Sequence, residues 1–71
     1  MGRFGAVTFA IMKLTQRIRE EFEEAPGLRL TVSEAARFWG IDEQTCEQVF
    51  TYLLAARFLT RRADQRYVQA R

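Results

Sequence analysis

Histidine is absent from this chain of 71 residues, and cysteine occurs once. Without these side chains the protein can form no zinc finger, no disulfide framework and no Cys–His nucleophile pair. The single cysteine, Cys46, falls on an apolar helical stripe, so we interpret it as a small core residue, with a reactive thiol as the alternative. A glycine-rich phosphate loop is also lacking, and the carboxylates belong to polar faces. We therefore expect no enzymatic activity, no cofactor and no metal site.

Long apolar runs are lacking as well. The longest apolar stretch, residues 4–12, is interrupted by Gly5 and Thr8 and is too short to cross a bilayer. Arg3 precedes it, but no small-residue cleavage site follows, so we expect no signal peptide. Ala6 stands where a myristoylation motif requires serine or threonine. These features predict a cytoplasmic protein without a membrane partner.

Hydrophobic residues make up 48% of the chain, and its length allows one domain at most. Such a composition predicts a folded chain rather than a disordered one. The net charge of +2 is unevenly distributed, because residues 13–48 carry −3 whereas residues 49–71 carry five arginines against Asp64. A basic end can contact nucleic acid. The alternative is a solvated surface that only keeps the protein in solution.

The start of the chain has two patterns. Alternating apolar residues over positions 7–11 favour a strand, whereas apolar residues at intervals of three and four from Phe4 to Phe22 favour one long helix. We predict a loosely structured extension over residues 1–12 that becomes helical after Thr8 or continues into the first helix. The domain itself then covers residues 13–71.

The first helix is predicted over residues 13–24. Its buried stripe consists of Leu14, Ile18 and Phe22, and Pro26 with the following glycine ends it. Residues 28–30 alternate between apolar and polar types, which indicates a short edge strand.

Two further helices follow within a few residues of each other. Thr31 and Glu34 have the spacing of a capping box, so the second helix begins after Thr31 and ends at Gly40. Asp42 is the expected N-cap of the third helix. Its apolar positions, which predict a helix ending near Arg57, are Cys46, Val49, Phe50, Leu53 and Leu54.

The last fourteen residues change to a period of two. Residues 58–62 and 66–70 predict a β-hairpin, in which Asp64 or Gln65 adopts the unusual backbone angles of a turn without glycine. An isolated hairpin is marginal in water. We therefore expect it to pair with residues 28–30 in a three-stranded sheet.

The order of these elements, together with the Ala35-Ala36 pair before Gly40-Ile41, resembles the winged helix-turn-helix domains over residues 13–70. The resemblance implies an α+β, mostly helical fold: a three-helix winged helix-turn-helix with a small antiparallel β-hairpin as the wing. It also implies a function, because in this family the third helix enters the DNA major groove and the wing touches the backbone or minor groove.

By position, the resemblance assigns base contacts to Gln44, Thr45, Gln48 and Thr51. It assigns phosphate or minor-groove contacts to Arg61, Arg62 and Arg66. Glutamine can bond adenine and threonine can meet the thymine methyl, so these residue types suit the role. The first hypothesis is therefore a transcriptional regulator that binds double-stranded DNA.

The alternative hypothesis is a winged-helix module that binds another protein. Asp42, Glu43 and Glu47 make the third helix acidic, and phosphate repels each of them. Phe38 lies off the Ala35/Ala36 face of the second helix, so it either closes the core against residues 4–12, which we favour, or belongs to an interface. A homodimer through the N-terminal segment is a further expected partner.

Overall fold

A computed structural model describes the backbone of residues 2–70 and the side chains of residues 9–70. It contains three helices followed by one antiparallel hairpin, so the predicted α+β, mostly helical fold with a wing is confirmed. The elements are α1 (Gly2–Glu24), α2 (Val32–Trp39), α3 (Glu43–Ala55), β1 (Leu59–Arg61) and β2 (Tyr67–Gln69).

Helix α1 corrects one prediction. It begins at Gly2, so the loosely structured extension over residues 1–12 is wrong for residues 2–12, and the alternative of one continuous helix is right. Met1 lies outside the described residues. The intervals of three and four outweigh the alternation because Ile11 and Leu14 of this stripe pack against the core. Within residues 2–70, no helix combines the length and the apolar content needed to span a bilayer.

The corner between α2 and α3 forms as predicted. Thr31 caps α2 by accepting a hydrogen bond from the Glu34 amide at 3.1 Å, and the Glu34 carboxylate accepts one from the Thr31 amide at 3.0 Å. Gly40 ends α2 in the left-handed region, with φ 66° and ψ 39°. The next amide, that of Ile41, donates to the Ala36 carbonyl at 2.9 Å, which closes the turn. Two residues beyond Gly40, the Asp42 side chain caps α3.

Helix α3 ends at a second left-handed residue, which is not glycine. Arg57 has φ 64°, and the Phe58 amide donates to the Leu53 carbonyl at 2.9 Å. The Arg57 amide donates to Leu54 at 3.0 Å, which completes the same type of turn as the one at Gly40. Both corners therefore reverse the chain within two residues.

The hydrophobic core lies between the three helices and β1. The Phe50 ring lies 6.1 Å from that of Phe22, 6.4 Å from that of Trp39 and 4.7 Å from that of Tyr67. Phe38 is 61% exposed, so the interpretation that it closes the core is wrong. Its position on the outer face of α2 leaves it in solvent. The buried residues are Ile18, Phe22, Ala35, Ala36, Cys46, Val49, Phe50, Leu53 and Leu59.

The wing pairs Leu59 with Gln69, Thr60 with Val68 and Arg61 with Tyr67. Gln65 takes the left-handed conformation in its turn, with φ 74°, as predicted. The expected three-stranded sheet is wrong, since residues 28–30 contribute a single bridge between Leu30 and Tyr67. The reason is local: Thr31 is already the N-cap of α2, so the chain leaves the sheet after one residue.

Candidate nucleic-acid interface

The outer face of α3 carries the residues to which sequence analysis assigned base contacts. Gln44, Gln48 and Thr51 are exposed and lie on one face, because they are spaced by four and three residues. Thr45 is half-buried, and its hydroxyl donates to the Asp42 carboxylate at 2.7 Å. Three of the four residues thus present their side chains to solvent, whereas Thr45 stabilises the helix cap.

The acidic residues of α3 have different surroundings. Asp42 accepts hydrogen bonds from the hydroxyl and the amide of Thr45, which lower the pKa of its carboxyl. Glu43 accepts a hydrogen bond from the Ser33 hydroxyl at 3.0 Å. Glu47 is exposed, and among the described residues it has neither an ion pair nor a side-chain hydrogen bond. Glu47 is therefore the carboxylate whose full charge faces an approaching ligand.

The three wing arginines are not equivalent. Arg66 lies 3.1 Å from a carboxylate oxygen of Glu34 and 3.4 Å from one of Asp64. The charge of Glu34 raises the pKa of Arg66, and the Arg66 backbone amide lowers the pKa of Asp64. Two carboxylates thus balance the charge of Arg66, and this cluster ties the wing to the N-terminus of α2.

Arg61 and Arg62 retain their charge. The Arg61 guanidinium donates to the neutral side-chain amide of Gln65. Arg62 is exposed, and no carboxylate pairs with it among the described residues. The turn of the wing therefore carries two positive charges that are available to a ligand.

A shallow cleft joins the wing to the two preceding helices. Ser33 at the start of α2, Glu47 of α3, and Arg61 and Gln65 of the wing line it. The fold thus places an arginine of the wing beside the outer face of α3, although the two positions are fourteen residues apart in the chain. The polar face of α3 and an arginine of the wing therefore lie on the same side of the domain.

Two arginines that sequence analysis did not assign lie beside the wing. Arg29 and Arg37 are exposed and line an open groove together with Phe38 and the cluster formed by Arg66, Glu34 and Asp64. No carboxylate pairs with either of them among the described residues. The available sequence signal was their outward position, from the alternation at Arg29 and the helical spacing at Arg37. That signal does not reveal which arginines lack a neighbouring carboxylate.

Cys46 belongs to the core, in agreement with its interpretation as a small apolar residue. It is fully buried, and burial, followed by the nearby charges of Glu43 and Asp42, raises the pKa of its thiol to about 11. The thiol is therefore protonated at neutral pH, which makes it a poor nucleophile.

No family model, no curated protein and no solved structure matches this chain.

Proposed function

We propose that this domain is a winged helix-turn-helix protein that binds double-stranded DNA, with α3 in the major groove and the wing on the phosphate backbone. The observation that carries the proposal is the shared cleft of α3 and the wing, where Arg61 lies beside the exposed polar face of the helix. Gln44, Gln48 and Thr51 on this face have side chains that can bond to or contact base edges.

Phosphate contacts are assigned to arginines whose charge is not balanced within the protein. Arg61 and Arg62 qualify in the wing, and Arg29 and Arg37 qualify beside α2. Arg66 does not, because Glu34 and Asp64 already neutralise it. Affinity for DNA depends largely on the number of phosphates that a protein neutralises, so this distinction decides which arginines contribute.

As a regulator of transcription, the protein would act in the cytoplasm and would have no catalytic activity. The role needs only a surface that is complementary to DNA, and the fully buried Cys46 offers no accessible nucleophile.

The test is a titration of labelled duplex DNA at several salt concentrations. The double variant Arg61→Ala/Arg62→Ala should bind more weakly, and the slope of log affinity against log salt should fall by about two, because each phosphate contact contributes about one. Arg66→Gln/Glu34→Gln is the matched control, because it removes a wing arginine together with one of the carboxylates that balance it and so keeps the local net charge. It should leave affinity and slope near those of the wild type. Unchanged binding by the double variant, or no binding of the wild type at low salt, would contradict the proposal.

A second candidate function is binding to another protein through the outer face of α3. Glu47, whose charge no neighbour balances among the described residues, favours this alternative because it lies in the cleft where a phosphate would approach. A pull-down with the wild type should then recover a basic partner that Glu47→Lys loses. Retention of the partner by this variant would exclude the α3 face as the interface.

A further inference from the structure

Large exposed apolar side chains lie on α1 and on the part of α3 that faces it. Phe9 and Met12 of α1 are 60% and 63% exposed, and Tyr52 of α3 is 64% exposed. Phe9 and Met12 are three residues apart on one face of α1, whereas Ile11 packs against the core. We call Phe9, Met12 and Tyr52 the α1 patch. Helix α1 therefore has an apolar outer face in addition to its core face.

A groove between α1 and α3 adjoins this patch. Its volume is about 440 Å³, and Met12, Tyr52 and the buried Leu53 contribute apolar walls. Thr15 also lines it, but its hydroxyl donates to the Ile11 carbonyl at 2.7 Å, so this polar group is already satisfied. An apolar side chain can enter such a groove without leaving that group unpaired.

The first residues of the same chain are mostly apolar, which matches the apolar walls of this groove. Helix α1 has 23 residues, which corresponds to a length of about 34 Å. Among the side chains that the structure describes, Ile11 is the first on this helix to pack against the core. The residues before it include a single charged one, Arg3, and several large apolar ones. An apolar helical segment of this kind gains stability when its apolar face packs against a partner.

We propose that a second copy of this chain is that partner, in a symmetric dimer in which the two α1 helices cross antiparallel beside Phe9 and Met12. In this arrangement, Phe9 of each copy lies against Met12 and Tyr52 of the other. The contact is isologous, so each apolar residue is used twice and the assembly closes at two subunits.

The α1 patch supplies somewhat less than half of the area that a stable dimer usually buries, and the groove residues around it supply further contact. Large side chains of this kind have roughly 150–250 Å² of surface each. At the exposures observed for the α1 patch, they offer on the order of 350 Å² per copy to an interface whose usual size is about 800 Å² per partner. The other groove residues, Ile11, Gln16 and Arg19, enlarge this contact around its rim. Phe38 is exposed to a similar extent, but it lies among Arg29, Arg37 and Arg66, in polar surroundings that suit a dimer core poorly.

The test is sedimentation equilibrium of the purified chain without DNA, so its outcome does not depend on the proposed function. The wild type should sediment with twice the chain mass of 8.3 kDa at micromolar concentration. Phe9→Glu/Met12→Glu should raise the dimer dissociation constant at least a hundredfold. Phe38→Glu is the control, because it introduces a carboxylate at a similarly exposed phenylalanine outside the α1 patch, and it should remain dimeric.

Tyr52→Glu tests the groove independently of α1, and it should raise the dissociation constant at least tenfold. Circular dichroism of Phe38→Glu and Tyr52→Glu should show the wild-type helix content, because both side chains are exposed. The Phe9→Glu/Met12→Glu monomer should lose helix content only at the start of α1. A monomeric wild type at 100 µM, or a dimer that persists in Phe9→Glu/Met12→Glu, would overturn the proposal. A dimer that tolerates Tyr52→Glu would overturn the assignment of the groove as the docking site.

Discussion

The α1 patch and the outer surface formed by α3 and the wing differ in how far the protein already satisfies their side chains. On the α3–wing surface, Glu43 is bonded to Ser33, Arg66 to Glu34 and Asp64, and Arg61 to Gln65. On the α1 patch, large apolar side chains lie exposed beside an apolar groove. A count of charges therefore overstates the number of unbalanced charged groups that a polar surface presents to a ligand. Exposed apolar area, in contrast, remains available for burial.

The largest effect is expected when the α1 patch is changed and DNA binding by the α3–wing surface is measured. If a dimer places two α3–wing surfaces on one duplex, Phe9→Glu/Met12→Glu should weaken DNA binding about a hundredfold, because the second half of the contact loses its high effective concentration. Anisotropy titration of a duplex long enough for two copies measures this loss. Equal affinity of the wild type and the variant would show that the two surfaces act independently.

The next largest effect is expected on the free energy of unfolding, at the turn that connects α2 to α3. Gly40→Val should lower the free energy of unfolding by about 1–2 kcal/mol, because a β-branched residue is strained in the left-handed region. A Cβ at this position would meet no atom within 4 Å, so the cost comes from the backbone and not from a clash.

Arg57→Gly is the matched reverse substitution, since Arg57 has nearly the same φ in the same type of turn. It should raise the free energy of unfolding by up to about 1 kcal/mol. Urea denaturation measures both variants. A stability of Gly40→Val equal to that of the wild type would mean that the corner does not require glycine.

The smallest expected effect isolates the unbalanced carboxylate of the α3–wing surface. Glu47→Gln should tighten DNA binding about fivefold, because removing one repulsive charge near a phosphate is worth about 1 kcal/mol in a high-dielectric environment. Glu43→Gln is the control and should change affinity less, because Ser33 already bonds Glu43. Weaker binding by Glu47→Gln would instead assign Glu47 a direct contact with a base.

Much of the fold could be predicted because its signals are local. The capping box joins Thr31 to Glu34, and the Asp42 cap bonds the amide of Thr45, both over three residues. Where the local signals competed, the prediction was wrong. At the start of α1, alternation over a few residues favoured a strand, so a loose segment was predicted, whereas the helical repeat extends over the whole element.

The candidate site could be predicted by position but not by charge. The resemblance to winged helices assigned residues of the third helix and three arginines of the hairpin, and the structure places these residues on α3 or in the wing. The assignment did not distinguish Arg61, Arg62 and Arg66 from one another, and it did not include Arg29 or Arg37. The distinction depends on which carboxylates lie within a few ångströms of each guanidinium, and sequence spacing alone does not determine this.

The ends of the helices around the corner, and the hairpin that follows them, can be predicted from the residue types along the chain, because each depends on hydrogen bonds and backbone angles within a few neighbouring residues. Three other features depend on how the helices pack: Arg66 is balanced by Glu34, 32 residues away, Glu43 is bonded to Ser33, ten residues away, and Phe38 is exposed. Coulombic interactions and burial depend on distance in space, and packing of the helices sets that distance.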